Sequence, residues 1–210
     1  PVLHPRDRFG RDEDWIEYHP AYRELEQIAF GDFGFHAMSH RAGVLGYDRP
    51  FPAVAKYAFQ HLLTEGEFGL MCPISVTDTS TYLIRRYANP ELKTYLLPKM
   101  LSQDMATFWK GTQFITERAG GSDVGAIETL ARPNGEHWRL DGDKWFCSHT
   151  DADVALMLAR AEGGAAGTKG LALFAVPRRR CRAPPSCARR RAARGPRAGR
   201  RSRQTCASGR

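Results

Sequence analysis

Gln113-Phe114-Ile115-Thr116-Glu117-Arg118-Ala119-Gly120-Gly121-Ser122-Asp123-Val124 is a β-rich run that ends in a glycine loop. A strand here would deliver the hydroxyl of Thr116, and the two glycines would then allow close approach of the backbone to a ligand. Ser122 can offer both its hydroxyl and an amide to an anionic group. This combination suits a flat heteroaromatic cofactor that carries phosphates. A glycine-rich turn between two ordinary strands is the simpler alternative.

A second informative segment follows, Asp141-Gly142-Asp143-Lys144-Trp145-Phe146-Cys147-Ser148. Its composition predicts a turn and then a strand from Lys144 to Ser148. In a strand, Phe146 and Ser148 share one face, so a ring surface and a hydroxyl could meet the same planar ligand. A strand with ordinary alternating packing explains the same pattern without a ligand.

Both segments belong to a region of short strands, residues 107–177. A hairpin is predicted from residues 128–132 and 138–140, and apolar strands are predicted over residues 154–160 and 171–176. Ala106 to Trp109 is also β-rich. Gly164 to Lys169 superficially resembles a phosphate loop, but no G-K-[ST] follows, which favours a flexible loop between strands. The spacing predicts a small barrel or sandwich.

Residues 1–106 read as helical. Proline and cap residues predict helices after His19-Pro20, at Pro52 and at Asn89-Pro90-Glu91, the last interrupted by Pro98. The Pro52 helix carries one face with Val54, Tyr57, Ala58, His61 and Leu62. Another helix is predicted over residues 75–87, with Thr79 or Ser80 as its cap. The prediction is therefore an α+β, multidomain chain: an all-helical N-terminal domain and then an all-β one.

The tail, residues 178–210, differs in composition from the helical and β-rich regions. It holds 13 Arg and no acidic residue, so residues 1–177 keep 18 basic against 23 acidic groups and are mildly acidic. The charge therefore excludes a basic, nucleic-acid-binding surface over the folding part. Without large apolar residues the tail is predicted to be disordered. It reads either as a nonspecific nucleic-acid-binding arm or, as we favour, as the product of a frameshift in GC-rich DNA.

Other classes of function lack support in the sequence. No apolar run approaches the length of a membrane span, so no membrane partner is expected, and no signal peptide opens the chain. The isolated cysteines fit a reducing cytoplasm. His36 and His40 have metal-ligand spacing if helical, but no third ligand is evident, so no metal site is expected.

Taken together, T-E-x-x-G-G-S-D-V and D-G-x-K-W-F-x-S resemble the acyl-CoA dehydrogenase flavoprotein family across roughly residues 15–177. Within that family, the residues of these motifs are most similar to those of the alkylation-response, isovaleryl-CoA-dehydrogenase-like branch. The resemblance implies a helical N-terminal domain, a β-barrel middle domain and a C-terminal helical domain, with FAD between the last two. This sequence holds only the first two domains, residues 1–106 and 107–177.

The resemblance also implies roles for particular positions. Residues matching flavin contacts are Gln113, Ile115, Thr116, Ser122, Phe146 and Ser148, and Ser122 also lies near the acyl-CoA substrate. The family more usually has Trp and Thr where Phe146 and Ser148 stand. Cys147 should point away from the cofactor, with no redox role, and Glu117 should hold the turn.

The implied reaction is α,β-dehydrogenation of an acyl-CoA thioester, as in fatty acid or branched-chain acyl-CoA metabolism. The catalytic base belongs to the C-terminal domain, so no residue here is assigned to it, and low or no activity is expected. The full-length family is expected to form homo-oligomers, and the electron acceptor is left open. Two alternatives stand: an acyl-CoA oxidase, and a nucleic-acid-associated protein that uses residues 178–210.

Overall fold

The computed structural model describes residues 1–178 and 204–207. The chain divides into two compact units. The helical unit combines Pro1–Thr112 with Ser148–Ala152. The β unit combines Gln113–Cys147 with the described residues from Asp153 onward. The first division between them falls at residues 112/113, and a short later segment returns to the helical unit.

The helical unit begins with a β-hairpin that the sequence did not lead us to expect. Strands β1 (Val2–Arg6) and β2 (Asp12–Glu17) pair in antiparallel fashion. The carboxylate of Asp7 accepts hydrogen bonds from the amides of Phe9 and Arg11, at 2.8 and 2.9 Å, and so shapes the connecting turn. The predicted helical domain therefore carries a small sheet at its start.

Four α-helices follow, and in α1 and α4 a proline and a capping side chain mark the first turn. They are α1 (Pro20–Glu26), α2 (Ala53–Gly66), α3 (Met71–Tyr87) and α4 (Pro90–Met100). Helix α1 continues as a π-helical turn, Gln27–Asp32. Pro20 and Pro90 open their helices, and Asn89 caps α4 by accepting the amide of Leu92 at 2.8 Å.

Two helix predictions were wrong in detail. Helix α3 begins at Met71 instead of Ser75, so Thr79 and Ser80 lie inside it and cap nothing. Ser80 is buried and its hydroxyl donates to the carbonyl of Thr112 at 3.2 Å. Pro98 does not interrupt α4: the helix continues through it to Met100, although proline supplies no N–H to the helical hydrogen bonds.

The apolar face predicted for α2 points outward. Val54, Tyr57 and Leu62 are 83%, 60% and 65% exposed, whereas the polar Lys56 is buried. The buried ammonium donates to the carboxylate of Asp78 on α3, which also accepts from His40 at 2.7 Å. Burial alone would raise the pKa of Asp78, but the hydrogen bonds and charges of these two partners outweigh it and lower that pKa. Helix α2 thus turns inward a face that carries Phe59 and Leu63, which pack on the apolar core, together with the buried Lys56.

The main apolar core of the helical unit gathers around the π-helical turn. Buried members are Ala29, Phe30, Phe35, Ala37, Met38, Val44, Leu70, Ile74 and Phe108. Phe108 lies within the segment Ala106–Trp109 that was predicted to be β-rich. That segment forms a turn and irregular chain instead, and its aromatic side chain packs on Phe30 at 5.0 Å between ring centroids.

Among its described residues the β unit has six strands in the order β3-β6-β4-β5-β8-β7, and a further pairing joins β6 to β7. Because of that pairing, the five strands β6, β4, β5, β8 and β7 form a closed ring, in agreement with the predicted small barrel. The strands are β3 (Gly111–Phe114), β4 (Leu130–Asn134), β5 (His137–Asp141), β6 (Val154–Ala161), β7 (Leu171–Pro177) and β8 (Gln204–Ala207). The core contains Phe114, Ala131, Leu140, Met157, Ala159, Phe174 and Val176.

Strand β8 comes from the tail for which disorder was predicted. Its four residues pair with β5, Ala207 standing opposite His137. The remainder of the tail prediction, residues 179–203 and 208–210, lies outside the described residues. Within the part of the chain that the structure describes, no helix is long and apolar enough to cross a bilayer.

Candidate functional site

The glycine loop after β3 is a tight, hydrogen-bonded turn. Gln113 lies half-buried on β3, and the chain leaves the sheet after Phe114. Glu117 and Gly120 then exchange backbone hydrogen bonds of 3.2 and 3.1 Å in an isolated antiparallel bridge. This bridge reverses the chain and leaves Ser122 exposed at the end of the turn.

Gly121 lies too close to Thr116 to carry a side chain without adjustment. A Cβ atom added at Gly121 would lie 3.2 Å from the Thr116 methyl carbon and 3.4 Å from its hydroxyl oxygen. Thr116 itself is half-buried, and Ile115 beside it is 37% exposed. The glycine therefore leaves space beside a hydroxyl and an exposed aliphatic side chain.

Glu117 is the buried centre of this region. Its carboxylate accepts the amide of Glu128 at 2.6 Å, the amide and hydroxyl of Thr129, and the ammonium of Lys144 at 2.6 Å. Burial alone would raise the pKa of Glu117, but these donors outweigh it and lower the pKa. A carboxylate surrounded by donors and held ionised fixes structure and is a poor proton acceptor.

Lys144 connects the second motif to the first. Its side chain is only 6% exposed, and besides Glu117 it donates to the carbonyls of Ile115 at 3.3 Å and Leu158 at 2.6 Å. One residue later, the amide of Trp145 donates to the carbonyl of Thr116 at 2.9 Å. The two sequence motifs are thus joined side by side within the β unit.

The strand predicted from Lys144 to Ser148 does not form, so that prediction was wrong. Residues 145–146 are a bend, and Phe146 has φ of +52°, a left-handed conformation that excludes an extended strand. A bulky side chain there costs about 1–2 kcal/mol. Phe146 and Ser148 therefore do not share a strand face, and Phe146 projects outward with 86% of its area exposed.

The result is an exposed apolar surface beside polar groups. Ile115, Trp145 and Phe146 are 37%, 48% and 86% exposed, and the two aromatic rings meet edge to face at 6.4 Å. Thr116 and the Gly121 turn adjoin this surface through the hydrogen bond of Trp145. Such a surface can cover one side of a planar ligand, because exposed rings gain most from contact with another flat apolar face.

Ser148 belongs to the helical unit. Its carbonyl accepts a hydrogen bond from the hydroxyl of Thr112 at 2.6 Å, and the residue itself is exposed. The preceding Cys147 is half-buried in the β unit, where burial raises the pKa of its thiol despite the opposing charge of Lys144. The thiol is thus protonated at neutral pH, which does not favour redox chemistry.

The two histidines with metal-like spacing are occupied by other contacts. His36 is buried and its Nε2 bonds to the carbonyl of Ser102 at 3.0 Å, while His40 pairs with Asp78. Across the described residues, no three His, Cys, Asp or Glu side chains group as metal ligands.

Two family models match the chain. The acyl-CoA dehydrogenase middle domain matches residues 112–205, and the N-terminal domain of the adaptive response protein AidB matches residues 1–106. Acyl-CoA dehydrogenase family member 11 of Caenorhabditis elegans is 33% identical over 184 residues, which cover 83% of this chain and 29% of the relative. AidB of Escherichia coli is 30% identical over 190 residues, which cover 85% of this chain and 32% of the AidB chain.

Solved structures agree with these relatives. Caenorhabditis elegans ACDH-11, in complex with C11-CoA, superimposes with a TM-score of 0.68 at 30% identity, covering 83% of this chain and 30% of that one. A glutaryl-CoA dehydrogenase from Mycobacterium smegmatis, in complex with FADH2, superimposes with a TM-score of 0.59 at 29% identity, covering 73% of this chain and 37% of that one.

A helical unit followed by a small closed sheet with this turn is the architecture of a flavoprotein dehydrogenase's first two domains. The chain belongs to the acyl-CoA dehydrogenase family, whose members are oxidoreductases acting on CH–CH donors, and its N-terminal part is of the AidB type. It spans about a third of the length of the curated relatives it matches.

Proposed function

We propose that the β unit supplies part of the cofactor site of an FAD-dependent acyl-CoA dehydrogenase. The observation that carries this proposal is Phe146, which is held outward in a left-handed turn beside the buried Glu117–Lys144 pair. Backbone strain persists only where the surroundings enforce it, and it concentrates at functional sites. An exposed ring kept in such a conformation is best explained by a planar ligand that covers it.

The residues of the β unit fit FAD. Ile115 and Phe146 would offer apolar surface to a ring system, and Thr116 would offer a hydroxyl for a hydrogen bond. The space left by the missing Cβ of Gly121 lies beside that hydroxyl. Ser122, exposed at the end of the turn, suits a phosphate oxygen. We therefore assign flavin contacts in this unit to Gln113, Ile115, Thr116, Ser122 and Phe146.

Ser148, which lies in the helical unit, stays a predicted flavin contact, and Ser122 is also proposed as a contact of the acyl-CoA. When bound, FAD supplies the acceptor for the hydride that leaves the β carbon of the thioester. The residues described above bind and orient. No catalytic base is assigned among them, since Glu117 is already saturated with donors and its pKa is lowered.

The substrate is proposed to be an acyl-CoA, in line with the C11-CoA bound to ACDH-11. The 210-residue polypeptide alone is expected to have little or no turnover, because no group in it is assigned to remove the α proton. A homo-oligomer and a cytoplasmic location are proposed for the whole protein. No described residue favours the nucleic-acid alternative, whose tail lies largely outside the described residues.

The proposal is tested by titrating the 210-residue protein with FAD and following quenching of flavin fluorescence. Phe146→Ala should weaken FAD binding by about tenfold, because an aromatic face against a planar ring contributes about 1–3 kcal/mol. Phe68→Ala is the matched control: Phe68 is 77% exposed but lies in the helical unit.

Equal affinities for the wild type and Phe146→Ala would remove Phe146 from the cofactor site. An equal loss in Phe68→Ala would show that the effect is not local to the turn. Absence of any saturable FAD binding by the wild type would contradict the proposal for this polypeptide.

A further inference from the structure

Arg160, near the end of β6, holds two glycine loops together. Its guanidinium donates to the carbonyl of Gly125 at 2.7 Å and to the carbonyls of Ala165 and Gly167 at 2.5 and 3.0 Å. Gly125 belongs to a short 3-10 turn, Val124–Ala126, which begins two residues after Ser122. The other two carbonyls belong to the loop between β6 and β7. One side chain therefore joins two segments that are far apart in sequence.

The β6–β7 loop is built around this guanidinium. It ends in a 3-10 turn, Gly167–Gly170. A Cβ atom added at Gly170 would lie 2.7 Å from the Arg160 nitrogen and would collide with the carbonyl of Ala165. A Cβ atom added at Gly125 would lie 3.4 Å from the Cα of Gly167. Both loops can close on Arg160 because Gly125 and Gly170 have no side chain.

Two hydrogen bonds tie the Gly125 segment to Asp123, the residue that follows Ser122. The carboxylate of Asp123 accepts the amide of Gly125 at 3.0 Å, and the carbonyl of Asp123 accepts the amide of Ala126 at 3.1 Å. Ser122 and Asp123 connect the Gly121 turn to this 3-10 turn. Fixing the carbonyl of Gly125 and the bonds of Asp123 therefore limits the backbone conformations available to Ser122.

We propose that Arg160 is a positioning residue that preorganises the Ser122 turn for the diphosphate part of the cofactor. The inference rests on the proposed function for its ligand, but the coupling of the two loops stands on the contacts alone. The two loops are reached from different ends of the guanidinium: Nη2 donates to Gly125, and Nη1 donates to Ala165 and Gly167. A lysine ammonium has all its donors on one nitrogen atom and lacks this fork. The same cation adds positive charge behind the turn, which favours an anionic ligand.

The coupling is tested first, without ligand, by hydrogen–deuterium exchange on the 210-residue protein. In Arg160→Lys, amides of residues 120–126 and 162–170 should both exchange about tenfold faster, because the contacts that close them are lost. Arg139→Lys is the control: Arg139 lies on β5 of the same unit, 42% exposed, and pairs with Asp141 at 3.2 Å. Unchanged exchange in β6 and β7 shows that the variant folds.

The ligand role is tested by comparing FAD with riboflavin, which has the same ring system and no phosphate. Arg160→Lys should weaken FAD binding by about tenfold and riboflavin binding by less than about twofold. Arg160→Gln, which keeps donors and loses the charge, should show the same ordering.

Faster exchange confined to residues 162–170 would overturn the coupling. Equal losses for FAD and riboflavin would overturn the diphosphate role, since a general structural effect acts on both. If the wild type bound neither flavin, the proposed function would fail together with the diphosphate role, and the exchange experiment would still decide the coupling.

Discussion

Removing the ammonium of Lys144 should destabilise the β unit strongly while leaving its apolar core intact. In the wild type this group is 6% exposed and has three partners: the carboxylate of Glu117 and the carbonyls of Ile115 and Leu158. Lys144→Met keeps most of the apolar stem but leaves Glu117 charged and buried without its counter-ion. Removal of one partner from a buried ion pair costs about 3–5 kcal/mol.

The double variant Lys144→Met, Glu117→Gln should be less destabilised than Lys144→Met alone. It removes the unpaired charge, and a glutamine oxygen can still accept from Thr129 and from the amide of Glu128. A buried pair replaced as a whole is often close to neutral, so recovery of about 1–3 kcal/mol is expected.

The assay is urea unfolding followed by tryptophan fluorescence, to which Trp138 and Trp145 of the β unit contribute. Lys169→Met is the control, because Lys169 is an exposed lysine of the same unit and should change the free energy of unfolding by less than about 0.5 kcal/mol. A Lys144→Met effect below about 1 kcal/mol, or additive effects in the double variant, would refute the coupled buried pair.

Three further outcomes are expected. Gly121→Ala should weaken FAD binding by about fivefold in a fluorescence titration, because the new Cβ presses on Thr116 at 3.2 Å; Gly66→Ala, with open space around it, should not. Asn89→Ala should lower the free energy of unfolding by about 1 kcal/mol, measured by far-UV circular dichroism in urea, and an unchanged value would deny the cap a role. Burial lowers the pKa of His36 to about 4, so its contribution to stability is complete above pH 6.5 and falls as the pH drops toward 4. His36→Gln should flatten the decline of unfolding free energy over that range, and an unaltered slope would show that His36 does not titrate on unfolding.

The sequence predicted those elements whose signals are local. Pro20 and Asn89-Pro90 open helices because a fixed φ and a side-chain acceptor suit the first turn wherever the helix packs. The hairpin of β4 and β5 follows from the turn residues at its centre. The motifs around Thr116 and Lys144 were also recognisable, because their residue types and spacing are specific.

The missed features depend on contacts between distant residues. The inward face of α2 carries Phe59 and Leu63 beside Lys56. The partner of Lys56 is Asp78 on another helix, which periodicity within α2 does not reveal. The bend at Phe146 overrides a β-rich composition, since strand propensity reflects its surroundings more than the backbone itself. The role of Arg160 was invisible for the same reason, because its partners are backbone carbonyls on two other loops.

The proposed cofactor site is tested most directly by hydrogen–deuterium exchange of the 210-residue protein with and without saturating FAD. We expect slower exchange in residues 113–122 and 145–147, where the exposed apolar surface and the glycine turn lie, and no change in α2 or α4. Protection confined to the helices, or none at all in a sample shown to bind FAD, would place the cofactor elsewhere and contradict the site assigned to the β unit.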